Sequence, residues 1–217
     1  MIDLHTHSLL SDGSLLPSEL AQRAYVKGIK VLAITDHVDH SNIDHVVPRI
    51  VRACEELNKY WAIKVIPGVE LTHLAPEAIR DLAKKTRALG AKLVLVHGET
   101  IAEPVPLGTN MAALKAEIDI LAHPGLITPE EVDLAKARSI SLEITARKGH
   151  SLTNGHVAQM AIKAGASLVF NTDSHDPEDL LEIEGAKKIL LGAGLNPGQI
   201  ERVFQDAYKL AEKVVNK

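Results

Sequence analysis

Aromatic residues make up only 3% of this 217-residue chain. An interior must therefore be built from Val, Ile, Leu and Ala rather than from packed rings. Cysteine is scarcer still: Cys54 stands alone, so no internal disulfide can form, and a reducing cytoplasm suits the sequence. No apolar run is long enough to cross a bilayer, and the first residues carry no basic segment or cleavage signal. The expectation is a soluble, cytoplasmic protein without membrane partners. Positive charge is not in excess either. A formal net charge of −4 and the lack of a long basic run argue against a surface that grips nucleic acid by its phosphates, while a small local anion site stays open. Glycine-rich phosphate fingerprints and the paired cysteines of a zinc ribbon are missing.

What is present is alternation. Short Val/Ile/Leu runs at Ile2 to His5, Lys30 to Thr35, Ile63 to Val69, Lys92 to Val96, Ile118 to Ala122, Ile140 to Ile144 and Ser167 to Phe170 read as strands. Helical patterns lie between them, near Ser18 to Lys27, Val46 to Lys59, Glu77 to Leu89, Met111 to Ala116, Glu130 to Arg138 and Gly155 to Ala164. Pro17 suits the opening of the first, and Gly28 its end. Parallel strands with crossover helices follow, and the continuous apolar runs fit strands covered on both faces. The predicted fold is α/β, a closed or nearly closed barrel in one domain. Pro177 to Leu191 and Pro197 to Val215 both read as helices that pack outside the barrel or close one end.

Each strand candidate ends in ionisable residues: His5 and His7, Asp36 and His37, Glu70, His97, His123, Glu143, and Asp173 with His175. Residues two apart on a strand share a face, so His5 and His7 can offer nitrogens to one cation. Alone the pair means little, because a chain with eleven histidines produces a His-x-His roughly half a time by chance. Its company decides. In a parallel barrel the C-terminal strand ends converge on one face, and imidazoles and carboxylates crowded there without partners are costly unless divalent cations neutralise them. Asp12 joins from the Ser11-Asp12-Gly13 turn, where ordinary turn chemistry also accounts for it.

These residues resemble the polymerase and histidinol phosphatase (PHP) metal-dependent phosphoesterases over essentially the whole chain. The motifs stand in family order as His5-Thr6-His7 with Ser11-Asp12-Gly13, Thr35-Asp36-His37, Pro67-Gly68-Val69-Glu70, Val96-His97-Gly98, Ala122-His123-Pro124 and Asp173-Ser174-His175. The resemblance implies a distorted seven-stranded TIM-like barrel, residues 1–217 forming one catalytic domain. It also implies two or three divalent ions at the strand ends. His5, His7, Glu70 and Asp173 would hold one ion; Glu70 would bridge to a second on His97 and His123; Asp12, His37 and His175 would hold a third. Mixed imidazole and carboxylate donors suit zinc, manganese or iron. Asp36 and Glu143 match no ligand position and are expected to orient ligands or to serve structure.

The implied chemistry is attack on a phosphate ester by a metal-bound hydroxide, with Glu70 as the bridging ligand. The substrate is expected to be a small phosphorylated molecule, either histidinol phosphate or a nucleotide or sugar phosphate. The loop Thr145 to His150 follows the sixth strand, so Arg147, Lys148 and His150 are candidate phosphate contacts. His40, His45, His73 and His156 read as surface or loop histidines. Three alternatives stay open: a nuclease or proofreading phosphodiesterase, a metal-dependent C–N hydrolase, and a non-catalytic metal-binding module. The acidic balance weighs against the first, and Glu70 in the bridging position weighs against the second. Homo-oligomerisation is left open.

Overall fold

The computed structural model describes residues 1–216. Its strands are Ile2–Asp3 (β1), Val31–Ile34 (β2), His37–Val38 (β3), Lys64–Leu71 (β4), Leu93–His97 (β5), Ile120–Ala122 (β6), Ser141–Thr145 (β7) and Leu168–Asn171 (β8). All pair in parallel, in the order β1-β2-β4-β5-β6-β7-β8, with β3 also on β4. The second expected strand is found as β2, whose Ile34 pairs with Pro67, and a further short pairing not expected from the sequence begins at His37 opposite Glu70. Pro67 has no N–H to donate. Asp36, between the two pairings, turns its carboxylate to the Ser8 N–H and to the Ser8 and Ser11 hydroxyls.

The first strand is also shorter than expected, ending at Asp3. Side chains replace the ladder there. The Leu4 N–H donates to Asn171 Oδ1, and the Asp3 carboxylate accepts from the Thr172 N–H and hydroxyl. Main-chain bonds follow, from Asp173 N–H to the His5 carbonyl and from His7 N–H to the Ser174 carbonyl. These contacts bring the first and last strands together and nearly close the barrel.

The helices are Pro17–Val26 (α1), Ile43–Tyr60 (α2), Pro76–Ala88 (α3), Thr109–Lys115 (α4), Pro129–Ala137 (α5), Asn154–Ala164 (α6), Ile183–Gly192 (α7) and Pro197–Val215 (α8). Local chemistry sets several starts: Thr128 with Glu131 and Asn196 with Gln199 form reciprocal caps, each followed by proline at the first helical position. The expected helix Pro177 to Leu191 is divided. Asp179 accepts from the N–H groups of His175 and Asp176, so Pro177–Asp179 forms one tight turn and α7 begins only at Ile183. No helix of the described residues is long and apolar enough to cross a membrane.

Two apolar clusters carry the packing. The larger lies between strands and helices and includes Val94, Val96, Leu142 and Ile144. The smaller fills the barrel with Leu4, Ala33, Ile66, Leu93, Leu95, Ile120, Ala122 and Val169, joined by Ala207, Leu210, Ala211 and Val214 of α8. The last helix therefore closes one end of the barrel. Along β5 the residues that alternate with Val94 and Val96 run Leu93, Leu95, His97; along β4 they run Ile66, Gly68, Glu70. Apolar groups fill the bottom of each file, and a polar group ends it at the top.

The turn after β6 is tight: Gly125 has φ +67°, and a Cβ there would lie 1.8 Å from the Glu99 carbonyl oxygen. Gly28 has φ +79° with open space around it. Gly125→Ala is expected to cost about 3 kcal/mol and to lower Tm by roughly 6–12 °C. Gly28→Ala should cost about 1 kcal/mol, the strain of the left-handed backbone alone. Equal thermal shifts for the two variants would contradict this assignment.

Candidate metal centre

Four side chains from three parts of the barrel rim make the floor: His5 and His7 after β1, Glu70 on β4 and Asp173 after β8. His5 Nε2 lies 3.4 Å from Glu70 Oε2 and 3.6 Å from Asp173 Oδ1, while His7 Nε2 lies 3.7 and 3.2 Å from the same two oxygens. These are poor hydrogen-bond geometries. Among the described residues His5 Nε2, both nitrogens of His7, both oxygens of Glu70 and His123 Nδ1 are buried with no hydrogen-bond partner. Buried polar atoms are almost always paired, and an orphan costs about 1–3 kcal/mol. Donors sharing one tetrahedral ion at about 2.1 Å stand about 3.4 Å apart, so the observed spacing fits donors arranged around a cation.

Glu70 faces two ways. While Oε2 meets His5 and His7, Oε1 lies 3.5 Å from His123 Nε2. His97, His123 and His150 present donor atoms that all lie within 4.8 Å of one another. The Nδ1–H of His97 donates to the Gly98 carbonyl at 3.2 Å, which leaves Nε2 free to bind. A third group comprises His7, Asp12, His37 and His175. Asp12 reaches His37 Nε2 at 3.5 Å and His175 Nε2 at 3.3 Å through its two oxygens. Every residue expected as a ligand is brought to this one rim.

The expected substrate residues separate. Arg147 lines the cleft of about 440 Å³ above the floor, with its guanidinium 3.2 Å from Asp179. Lys148 is exposed and does not line it. His150 is buried and turned to the imidazoles, its ring stacked on that of His123 with centroids 4.2 Å apart. Two cleft residues escaped the sequence reading of ligands: Glu103, from the loop between β5 and α4, and His73, which hydrogen-bonds to it at 3.2 Å. Glu103 ends no apolar run and so gives no signal. His73 carries a weak one, lying just past β4.

A layer behind the floor fixes its orientation. His5 Nδ1 lies 2.9 Å from Glu143 Oε1, which also accepts from Asn171 Nδ2 at 2.7 Å; Glu143 Oε2 accepts from the His123 N–H. Asp36 holds the Ser8 to Ser11 loop that carries Asp12. His73, His123 and Asp173 hold positive φ values of 50°, 27° and 53°. Each such residue carries about 1–3 kcal/mol of strain, which the surrounding contacts must offset.

Protonation demands conflict in this cluster. Burial opposes charge on His5, yet Glu143, Asp173 and Glu70 push its pKa well above the histidine range. Burial and the neighbouring His37 and His5 push His7 well below it. Burial also lowers His97 and His150 to about 3 and raises Asp173 to about 6, while His5 and His37 overcome burial to hold Glu70 well below the carboxylate range. Divalent cations would resolve the conflict by favouring neutral imidazoles and ionised carboxylates together.

Fold and donor set define the class: a parallel β/α barrel with a candidate polynuclear metal centre at its strand ends. The PHP domain matches residues 3–215, and the chain belongs to that family. An uncharacterized protein of Methanocaldococcus jannaschii is 50% identical over 204 residues, covering 93% of this chain and 94% of that one. A probable phosphatase of Shewanella frigidimarina is 28% identical over 234 residues, covering 94% and 88%. The DNA polymerase/3'-5' exonuclease PolX of Bacillus subtilis is 27% identical over 200 residues, which is 82% of this chain but 35% of PolX. In fold the chain resembles a structure of archaeal ribonuclease P with mature tRNA, at 18% identity and TM-score 0.74, covering 97% and 90%. It also resembles the histidinol phosphate phosphatase of Lactococcus lactis in complex with zinc, L-histidinol and phosphate, at 16% identity and TM-score 0.62, covering 90% and 94%.

Glu143 touches no cleft-facing donor atom but orients the His5 ring and holds the main chain of His123 at once. Glu143→Gln is expected to weaken metal binding about 10- to 100-fold, read by competition with a chromophoric chelator. Affinity equal to that of the unaltered protein would show that His5 needs no such partner.

Proposed function

We propose that this chain is a metal-dependent phosphoesterase that hydrolyses a small phosphate monoester in the cleft above Glu70. Family membership and the probable phosphatases among its relatives support a hydrolase of phosphate esters. The observation that carries the reading is Glu70, a buried carboxylate whose Oε2 faces the imidazoles of His5, His7 and His37 while its Oε1 faces that of His123. Such donors fit adjoining divalent ions, which when bound lower the pKa of water and neutralise a phosphoryl group during in-line displacement.

The chain's own residues divide the work. His5, His7, Glu70 and Asp173 would hold one ion, His97 and His123 with Glu70 a second, and Asp12, His37 and His175 a third. Glu143 and Asp36 keep these groups aimed. Arg147, at the cleft wall, supplies a planar fork of donors suited to phosphate oxygens, and Asp179 holds that fork in place. Lys148, exposed and outside the lining, takes no part in this reading.

A cleft of about 440 Å³ fits a small ester such as histidinol phosphate or a nucleotide or sugar phosphate. PolX as a relative favours one second reading, cleavage of a phosphodiester in nucleic acid. A net charge of −4 works against that substrate.

The deciding experiment is a panel of phosphomonoesters, oligonucleotide diesters and amides offered to protein loaded with zinc, manganese or iron. Monoesters are expected to turn over fastest. His7→Ala and His123→Ala should each lose roughly 4 kcal/mol of transition-state stabilisation, about a thousandfold in kcat/KM. Turnover of single strands with none of monoesters would support the nuclease reading, and no turnover of any compound at full occupancy would defeat both.

A further inference from the structure

Glu103 reaches into the cleft from the loop between β5 and α4 and meets three imidazoles. Its Oε2 lies 3.2 Å from His73 Nε2 and 3.2 Å from His97 Nε2, and its Oε1 lies 3.5 Å from His150 Nε2. The contact with His73 is an aligned hydrogen bond, in which the imidazole N–H donates. The contact with His97 differs in kind. A carbonyl oxygen can only accept, so the bond to Gly98 O requires the proton of neutral His97 to sit on Nδ1. Its Nε2 therefore presents a lone pair to a carboxylate oxygen 3.2 Å away. Two acceptors at that distance repel unless a cation lies between them, and the separation matches that of two donors on one ion.

His150 stands on the inner side of the same place. Its donor atom lies within 4.8 Å of those of His97 and His123, and its Nδ1 is 2.8 Å from the Thr100 hydroxyl, which fixes the ring and leaves Nε2 facing Glu103. The loop Thr145 to His150 and the loop that carries Glu103 thus converge on the imidazoles of His97 and His123.

We infer that Glu103 and His150 are ligands of the ion at His97 and His123, so that a carboxylate from the β5–α4 loop caps that position from the cleft side. His73 orients Glu103 through its hydrogen bond. The inference rests on the metal-centre reading above and extends its donor set. The capping oxygen occupies the side from which a phosphate would approach, so substrate would exchange with Glu103 there.

The test is a metal titration of the full chain with zinc against a competing chelator, beside cobalt substitution read by visible absorption. Glu103→Gln and His150→Gln should each weaken one class of ion by roughly tenfold or more and change the cobalt band. The remaining ions should bind as before, with circular dichroism unchanged. His73→Gln, which frees the carboxylate without removing it, should weaken the same class less than Glu103→Gln does. Unaltered affinities and cobalt spectra in both Glu103→Gln and His150→Gln would overturn the inference while leaving the metal centre intact. Failure of the unaltered protein to take up any ion would overturn the metal-centre reading itself.

Discussion

At the top of the barrel there are more lone pairs than protons to satisfy them, and the surrounding structure depends on that imbalance. A histidine buried in an ordinary core points one nitrogen at a carbonyl and the other at water or a carboxylate. Here His5 gives Nδ1 to Glu143, yet its Nε2 faces Glu70 and Asp173 without an aligned bond, and neither nitrogen of His7 finds a partner. Adding protons does not resolve this. A second proton on His5, at Nε2, would offer Glu70 and Asp173 a donor but place a buried charge beside His7, whose own charging is then disfavoured. Ions of charge two remove the conflict because they accept from every donor and repel none of the carboxylates.

Such a cluster holds its shape only if the backbone beneath it is rigid. The inner apolar cluster from Leu4 to Val169, closed at one end by α8, supplies a packed base, so that the inward files of β4 and β5 turn polar only at Glu70 and His97, while β7 alone is polar along its inward file, at Ser141, Glu143 and Thr145. Close backbone approach adds precision at the rim. A Cβ at Gly98 would stand 2.4 Å from the Ala122 carbonyl oxygen, and one at Gly13 would stand 2.3 Å from that of His7. Side chains at these places would push apart the segments that carry His97, His123, His7 and Asp12. Strained φ values at His123 and Asp173 belong to the same design, in which favourable packing elsewhere offsets a costly conformation at the site.

How much of this was legible in the sequence follows from what each residue's neighbours reveal. Glu70 and His97 each close a continuous apolar run, so their place at a C-terminal strand end could be read from the pattern, while the face they take is set by the sheet. His123 and Asp173 follow runs as well, although their backbone strain could not be foreseen. The break between β2 and β3 depends on Pro67 in the neighbouring strand and on Ser8 and Ser11 far away in sequence, and no local signal carries such a contact. The turn at Pro177 to Asp179 looked helical because proline and acidic residues suit a first turn; Asp179 spends its carboxylate on His175 and Asp176 instead. Loop side chains were the least legible. Arg147, Lys148 and His150 lie within four positions, yet one lines the cleft wall, one faces solvent and one enters the imidazole cluster.

Glu103 shows why that last group matters most for chemistry. Barrel strands can place donors around an ion on one side, but the side open to solvent belongs to the loops, and these decide what may approach. Arg147 is already bound by Asp179 and Glu103 already faces His97 and His150, so an entering group meets no unengaged charge at either place. To bind, it must outcompete a carboxylate at the imidazoles and share a guanidinium with another. A phosphate monoester, with nearly two charges and three acceptor oxygens at neutral pH, can do both. A phosphodiester brings one charge and fewer free oxygens, and an amide brings no charge. The proposed preference for a monoester thus rests on which partners the loops have already occupied, since ions at the strand ends would by themselves accept any of the three.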